Sequence, residues 1–128
     1  MGKPLRVLIA DDDPVVRLFL SDVLTKVFGF EAEEAATVAK AAEKTASGAF
    51  DLVLIDRNLA DGTLEDYCRK AARGGCRDVP KLVISGEKPL NWDEASMTGC
   101  GVFGYLVKPC RIDELREMIG KKFPGSLK

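Results

Sequence analysis

Acidic side chains directly follow two apolar segments of this chain. Three consecutive aspartates occupy positions 11–13 after the apolar residues 5–10, and Asp56 follows the apolar residues 52–55. Carboxylates that meet in a small volume repel one another, and a divalent cation with oxygen ligands relieves that repulsion. Mg²⁺ suits a small, partly hydrated site of this kind. An ionised aspartate also acts as a nucleophile without a general base, which fits a chain that contains no histidine.

Two further polar residues also directly follow apolar segments that are predicted to be strands. Ser85 follows the predicted strand 81–84, and Lys108 follows the predicted strand 105–107. An ammonium group beside a metal ion makes an acidic pocket attractive to phosphoryl oxygens. Taken alone, each residue has an ordinary structural interpretation, because Asp13 can cap a helix and Ser85 can be a loop hydroxyl. Their placement at the same end of four different strands makes coincidence improbable.

The elements that position these residues follow from the hydrophobic pattern. Apolar segments predict five strands, at residues 5–10, 30–36, 52–55, 81–84 and 105–107. Capping residues and apolar stripes predict helices that begin near residues 14, 37, 63, 91 and 112 and end near residues 29, 47, 74, 98 and 123. Five successive β–α units predict an α/β fold whose parallel sheet carries helices on both faces. The second strand contains three glutamates and is expected at a sheet edge. Ligands of such sheets bind beyond the carboxyl ends of the strands.

Length and composition limit the classes of function. A chain of 128 residues is expected to form one domain, with a core at about 5–122 and a tail or the start of a linker at 123–128. The 19 basic and 20 acidic residues give a net charge of −1, so no direct nucleic-acid binding is expected. The absence of histidine excludes serine–histidine triads and a phosphohistidine carrier.

The remaining sequence signals point to a cytoplasmic protein. The four cysteines form no C-x-x-C pair, and free thiols in a reducing compartment are the expected state. No apolar stretch approaches the ~20 residues that a membrane-spanning helix needs, and the N-terminus is too short for a signal peptide. We therefore expect a cytoplasmic protein without a membrane partner.

Four segments together resemble the receiver domain of bacterial two-component response regulators, the CheY-like family. They are VLIADDDP (7–14), DLVLIDRNL (51–59), LVISG (82–86) and GYLVKP (104–109). The resemblance covers nearly the whole chain and implies the flavodoxin-like three-layer sandwich, with strand order 2-1-3-4-5. That order would place the glutamate-rich second strand at an edge, in agreement with the pattern of the strand itself.

The resemblance also implies roles for the acidic residues. Asp56 would accept a phosphoryl group, and Asp12 would bind Mg²⁺ directly. Asp11 would act mainly through water, and Asn58 would offer its backbone carbonyl to the metal. The donor would be a phosphohistidine on a sensor histidine kinase or a histidine phosphotransfer protein.

Three other residues would carry the response. Lys108 would contact the phosphoryl oxygens, Ser85 would move toward them, and Tyr105 would turn inward into the vacated space. Such a domain catalyses only its own phosphorylation and dephosphorylation, and its changed face binds a downstream effector that the sequence does not identify.

Three alternatives differ in their requirements. A haloacid dehalogenase-type phosphohydrolase needs a second aspartate where Asn58 stands. A flavodoxin needs a phosphate-binding loop after the first strand, where the aspartates at 11–13 would repel phosphate. A pseudo-receiver that is never phosphorylated shares the fold, and a phosphorylation assay separates it from a functional receiver.

Overall fold

The computed structural model describes residues 4–74 and 79–127. Five parallel strands form the central sheet in the order β2-β1-β3-β4-β5. They are β1 (Arg6–Ala10), β2 (Glu31–Ala35), β3 (Leu52–Ile55), β4 (Lys81–Ser85) and β5 (Val102–Val107). The predicted strand order and the edge position of β2 are confirmed. Of the four cysteines, Cys76 lies outside the described residues.

Within the described residues, five α-helices cover the two faces of the sheet. They are α1 (Pro14–Asp22), α2 (Val38–Ser47), α3 (Leu64–Arg73), α4 (Glu94–Gly99) and α5 (Ile112–Lys122). Strand residues alternate between two apolar clusters, so Leu8 and Val53 face α2 and α3, whereas Val7 and Leu54 face α1 and α5. The expected layered α/β architecture is confirmed.

Side-chain caps fix where the helices begin. The Asp13 carboxylate accepts a hydrogen bond from the Val15 N–H at 2.9 Å, as its position before Pro14 predicts. Thr63 and Asp66 form a reciprocal capping box at the start of α3. These caps fix the residues at which α1 and α3 begin.

Four local features differ from the sequence prediction. The helix expected from about residue 91 begins at Glu94, because the carboxylate of Asp93 caps it at the Ser96 N–H. The fifth strand begins at Val102 rather than at position 105. The end of the first helix, Val23–Val27, has π-helical hydrogen bonding. A short antiparallel hairpin, Asn58–Leu59 with Gly62–Thr63, was not predicted.

The C-terminal segment 123–127 packs against the apolar cluster on the face that α1 and α5 cover. Phe123 lies edge-on against Phe103, with ring centroids 6.5 Å apart, and Leu127 packs on the same cluster. Within the described ranges, no helix is both long enough and apolar enough to cross a bilayer.

Candidate functional site

The strand register brings the first two groups of the site together. Ala10 of β1 pairs with Ile55 of β3, so the residues that follow, Asp11 and Asp56, leave the sheet side by side. The Asp56 N–H donates to the Ala10 carbonyl at 3.0 Å and continues the ladder by one residue. The convergence of these carboxylates is therefore a consequence of parallel pairing between β1 and β3.

The register of the other two strands adds the hydroxyl and the ammonium. Ser85 at the end of β4 pairs with Val107 at the end of β5. The Lys108 N–H then donates to the Ser85 carbonyl at 2.7 Å. The side chains of Ser85 and Lys108 thus reach the same edge of the sheet as the two carboxylates.

The Asp56 carboxylate is the centre of the resulting hydrogen-bond network. Its Oδ2 lies 2.6 Å from Lys108 Nζ, and its Oδ1 accepts from Ser85 Oγ at 2.5 Å. The Asn58 N–H also donates to Oδ1, at 3.1 Å. Lys108 Nζ contacts Asp11 Oδ2 at 2.7 Å as well, so one ammonium bridges two carboxylates.

Electrostatics keep both members of the central ion pair charged. Burial raises the pKa of Asp56, but the hydrogen bonds from Lys108 and Ser85 outweigh it and leave the pKa below its ordinary value. Burial lowers the pKa of Lys108, and its contacts with Asp11 and Asp56 reverse that effect and raise it. At neutral pH the site therefore presents a carboxylate and an ammonium.

Carboxylates outnumber the lysine at this edge. Oxygen atoms of Asp11, Asp12 and Asp56 lie within 4.8 Å of one another. Three negative charges against the single positive charge of Lys108 leave an excess of two, which one divalent cation would neutralise. Oxygen-only donors of this kind match the preference of Mg²⁺. The residues present therefore fit a magnesium ion.

Asp11 and Asp12 differ in their surroundings. The Asp11 side chain is only 3% exposed, its Oδ2 is held by Lys108, and its Oδ1 accepts from the Asp13 N–H at 2.9 Å. Asp12 is exposed, and within the described residues its carboxylate has no hydrogen-bond or ion-pair partner. Asp13 turns away to cap α1. Asp12 is thus the carboxylate with uncommitted oxygens.

Tyr105 lies beside the site in contact with the segment before α4. Its hydroxyl donates to the Gly86 carbonyl at 2.7 Å, and its half-buried ring meets Trp92 edge-on, with centroids 5.0 Å apart. The Lys88 ammonium lies about 6 Å from both ring centroids and pairs with Glu94 at 2.7 Å. Tyr105 therefore links β5 to the segment that precedes α4.

The positions of Ser85 and Tyr105 describe the unphosphorylated site. Ser85 bonds Asp56, and Tyr105 packs against the apolar cluster on the face that α2 and α3 cover. The Ser85 hydroxyl satisfies an otherwise buried carboxylate oxygen, which accounts for its place in the unmodified protein. The expected movement of Ser85 toward a phosphoryl group, with Tyr105 turning inward, stays a prediction.

Sequence reasoning missed three residues near the site. Arg17 of α1 donates to the Asp11 carbonyl at 2.8 Å and pairs with Glu34 at 3.0 Å. The carboxylate of Asp61 accepts from the first two N–H groups of α2, at 2.6 and 3.1 Å. Arg57 donates its N–H to Ser85 Oγ at 3.3 Å. Of these three residues, only Arg17 had a signal in the sequence: it stands four residues after Asp13, which is one turn further along the predicted first helix.

This fold and this arrangement of acidic, hydroxyl and ammonium groups define a receiver domain. The family described as the response regulator receiver domain matches residues 7–120. The chain belongs to that family.

Individual relatives agree with the family assignment. The chain is 31% identical over 121 residues to the chemotaxis protein CheY of Pseudomonas aeruginosa, covering 93% of this chain and 96% of that protein. It is also 31% identical over 116 residues to the regulatory protein VirG of Agrobacterium tumefaciens, covering 88% of this chain. It spans only 42% of the length of VirG.

Solved structures share the fold. A CheY-like response regulator receiver domain protein from Methanospirillum hungatei superposes with a TM-score of 0.79 at 28% identity, covering 94% of each chain. The receiver domain of the sensor histidine kinase PA1611 from Pseudomonas aeruginosa has a TM-score of 0.78 at 22% identity, covering 92% and 96%. The cleft of the latter protein holds a coordinated magnesium ion.

Proposed function

We propose that this protein is a phospho-accepting signalling switch whose acceptor is Asp56. The observation that carries the proposal is the ionised Asp56 carboxylate, held by Lys108 and Ser85 within 4.8 Å of the oxygens of two further aspartates. The reaction moves a phosphoryl group from a phosphohistidine to this carboxylate. One Asp56 oxygen attacks phosphorus, the O–P bond forms, and the P–N bond to the donor imidazole breaks.

The protein contributes position and charge to this transfer. Asp56 is fixed by bonds to both of its oxygens, so its approach to an in-line phosphoryl group requires little reorientation. The Lys108 ammonium lies where it can pass from the carboxylate to the arriving phosphoryl oxygens. The Ser85 hydroxyl stands on the other side of the carboxylate and offers a second donor. No histidine is needed on this chain.

Magnesium is the cofactor that the acidic residues best accommodate. We assign Asp12 and Asp56 as direct ligands, the backbone carbonyl of Asn58 as a third ligand, and Asp11 as a ligand through water. The open carboxylate of Asp12 supports its place as a direct ligand, and the deeper burial of Asp11, whose side chain is 3% exposed against 12% for Asp56, supports its acting through water. The bound ion would neutralise charge on the phosphoryl oxygens during transfer.

The partners follow from the chemistry of the acceptor. The donor is a sensor histidine kinase or a histidine phosphotransfer protein in the cytoplasm, and the recipient of the signal is an effector protein or domain. The family assignment supports both. CheY has nearly the length of this chain whereas VirG is longer, so the relatives accommodate both a separate receiver and a receiver joined to an effector. We infer that this domain catalyses only its own phosphorylation and dephosphorylation.

The first expected result is phosphorylation that depends on magnesium. Incubation with acetyl phosphate and Mg²⁺ should add one phosphoryl group, stable to acid and labile to base, because the product is an acyl phosphate. Intact-mass measurement checks this, and a chelator should prevent it. A protein that remains unmodified with small donors and with a set of histidine kinases would be a pseudo-receiver.

A second expected result concerns how the signal leaves the site. Beryllium fluoride with Mg²⁺ mimics the phosphorylated aspartate and should change the fluorescence of Trp92, which touches Tyr105. Ser85→Ala should reduce that change to a small fraction, because a charge-assisted hydrogen bond of ~1.5–3 kcal/mol no longer biases the two states.

Two controls define that experiment. Ser85→Thr keeps the hydroxyl and should respond like the wild type, and Mg²⁺ affinity should be similar in all three proteins. A full fluorescence response from Ser85→Ala would show that coupling runs through Lys108 or the hairpin after Asp56 instead.

A further inference from the structure

Two cysteines meet on the face of the sheet that α3 and α4 cover. Cys68 lies in the middle of α3, and Cys100 is the residue directly after α4. Both line one cavity of about 440 Å³ between these helices, together with Met97 and Glu65. Cys68 is buried in the apolar cluster there, and the partly exposed Cys100 packs against that cluster.

The two thiols are close enough to affect each other. Burial raises the pKa of the Cys68 thiol to about 12, and the neighbouring Cys100 thiol adds to the rise. Cys110 lies in the other apolar cluster, on the opposite face of the sheet. Among the cysteines of the described residues, Cys68 and Cys100 are therefore the pair that the fold places together.

The backbone of Cys100 is held in place by a buried lysine. Lys81, the first residue of β4, is 1% exposed and donates from Nζ to the Cys100 carbonyl at 2.7 Å and to the Val79 carbonyl at 2.9 Å. The Cys100 N–H donates to the Met97 carbonyl at 3.0 Å. Because both backbone groups are bonded, the end of α4 is tied to the start of β4, and the Cys100 thiol stays at the cavity that Cys68 shares.

We propose that Cys68 and Cys100 are an oxidative modification site, at which a hydroperoxide converts the two thiols into a disulfide that joins α3 to the end of α4. The site is separate from Asp56 and gives the domain a second covalent input, so it does not depend on the proposed phosphorylation.

The oxidation balances in two steps. The sulfur of Cys100, the more exposed thiol, attacks hydrogen peroxide; the O–O bond breaks, water leaves with the thiol proton, and a sulfenic acid remains. The sulfur of Cys68 then attacks the Cys100 sulfur; the S–S bond forms, the S–O bond breaks, and the hydroxide takes the Cys68 proton and leaves as water. Two thiols and one peroxide give one disulfide and two waters.

The disulfide would restrict the movement of α4, the helix that follows the contact between Trp92 and Tyr105. Trp92 precedes α4 and Cys100 follows it, so a bond to Cys68 fixes the far end of the element beside the phosphorylation site. The bond also closes the loop 69–99, which lowers the entropy of the unfolded chain. We therefore expect the oxidised protein to have a higher Tm than the reduced protein.

Peptide mapping of the full chain tests the site. The folded protein is treated with hydrogen peroxide, and the remaining thiols are alkylated. The protein is then digested with trypsin and chymotrypsin together, because Lys108 precedes a proline and trypsin alone leaves Cys100 and Cys110 in one peptide. The peptides are separated by mass with and without reductant. The expected product is a reductant-sensitive link between the peptides of Cys68 and Cys100, and the Tm should rise on oxidation. Reductant should reverse both effects.

Matched variants assign the bond. Cys110→Ser should form the same link and show the same rise in Tm, whereas Cys100→Ser, which alters a partly exposed residue, should show neither. In denaturant, oxidation should give a mixture of pairings. Absence of the link in the folded wild type, a dominant link to Cys76 or Cys110, or an equal rise in Tm for Cys100→Ser would overturn the proposal.

Discussion

Asp56→Asn is expected to abolish phosphorylation by acetyl phosphate and by any histidine kinase that phosphorylates the wild type. The amide removes the negative charge that makes the side chain nucleophilic and leaves one oxygen in place of two. It also removes an ion-pair partner of Lys108, which keeps Asp11. Intact-mass measurement should show no added phosphoryl group under conditions that label most of the wild type.

The control is an acidic residue at the amino-terminal end of β3, whereas Asp56 lies at its carboxyl-terminal end. Asp51 precedes β3, and its carboxylate accepts from the Arg6 N–H at 2.9 Å, a bond that an asparagine oxygen can also accept. Asp51→Asn should therefore be labelled like the wild type. Both variants should have a Tm near that of the wild type. If Asp56→Asn carried an undiminished label, Asp56 would not be the acceptor.

The parts of the site that sequence predicts are those fixed by strand ends. Asp11, Asp56, Ser85 and Lys108 each follow an apolar segment directly, and parallel strands in register carry such residues to one edge. The strand that contains three glutamates could be assigned to the edge because a buried position would leave those charges unpaired. Hydrophobic pattern and topology together thus determine which residues meet.

The parts that sequence does not predict depend on contacts between distant segments. Asp61 stands in the hairpin after β3, yet its carboxylate caps α2, whose first residues lie 22 and 23 positions earlier. Local pattern assigned that cap to Thr37 alone, which does accept from the Lys40 N–H. The hairpin itself escapes prediction because its strands are two residues long and lack an apolar alternation.

The first residue of α4 also could not be predicted accurately from the sequence. Pro89 and the polar residues after it dilute the apolar pattern, so the helix could be placed only to within a few residues. The carboxylate of Asp93 is the cap, and the preceding residue, Trp92, packs against Tyr105 of the distant strand β5.

Asp12→Ala is expected to weaken Mg²⁺ binding by at least about tenfold. Removing a direct ligand reduces the affinity for the metal more than removing a residue that acts through water. Asp11→Ala should weaken it less. The structure gives the reason, since Lys108 and the Asp13 N–H occupy both oxygens of Asp11, whereas those of Asp12 are free among the described residues. Isothermal titration calorimetry of both variants measures the difference.

The neighbouring Asp13 separates ligation from the general effect of removing a negative charge. Its carboxylate caps α1, and Asp13→Ser keeps a capping hydroxyl while removing the charge. Long-range attraction alone would make the losses of Mg²⁺ affinity for Asp12→Ala and Asp13→Ser alike, whereas direct ligation predicts a large loss only for Asp12→Ala. Equal losses for Asp11→Ala and Asp12→Ala would instead mean that Lys108 leaves Asp11 when the metal arrives. The ion would then bind both carboxylates, and Lys108 would be free for the phosphoryl group before transfer begins.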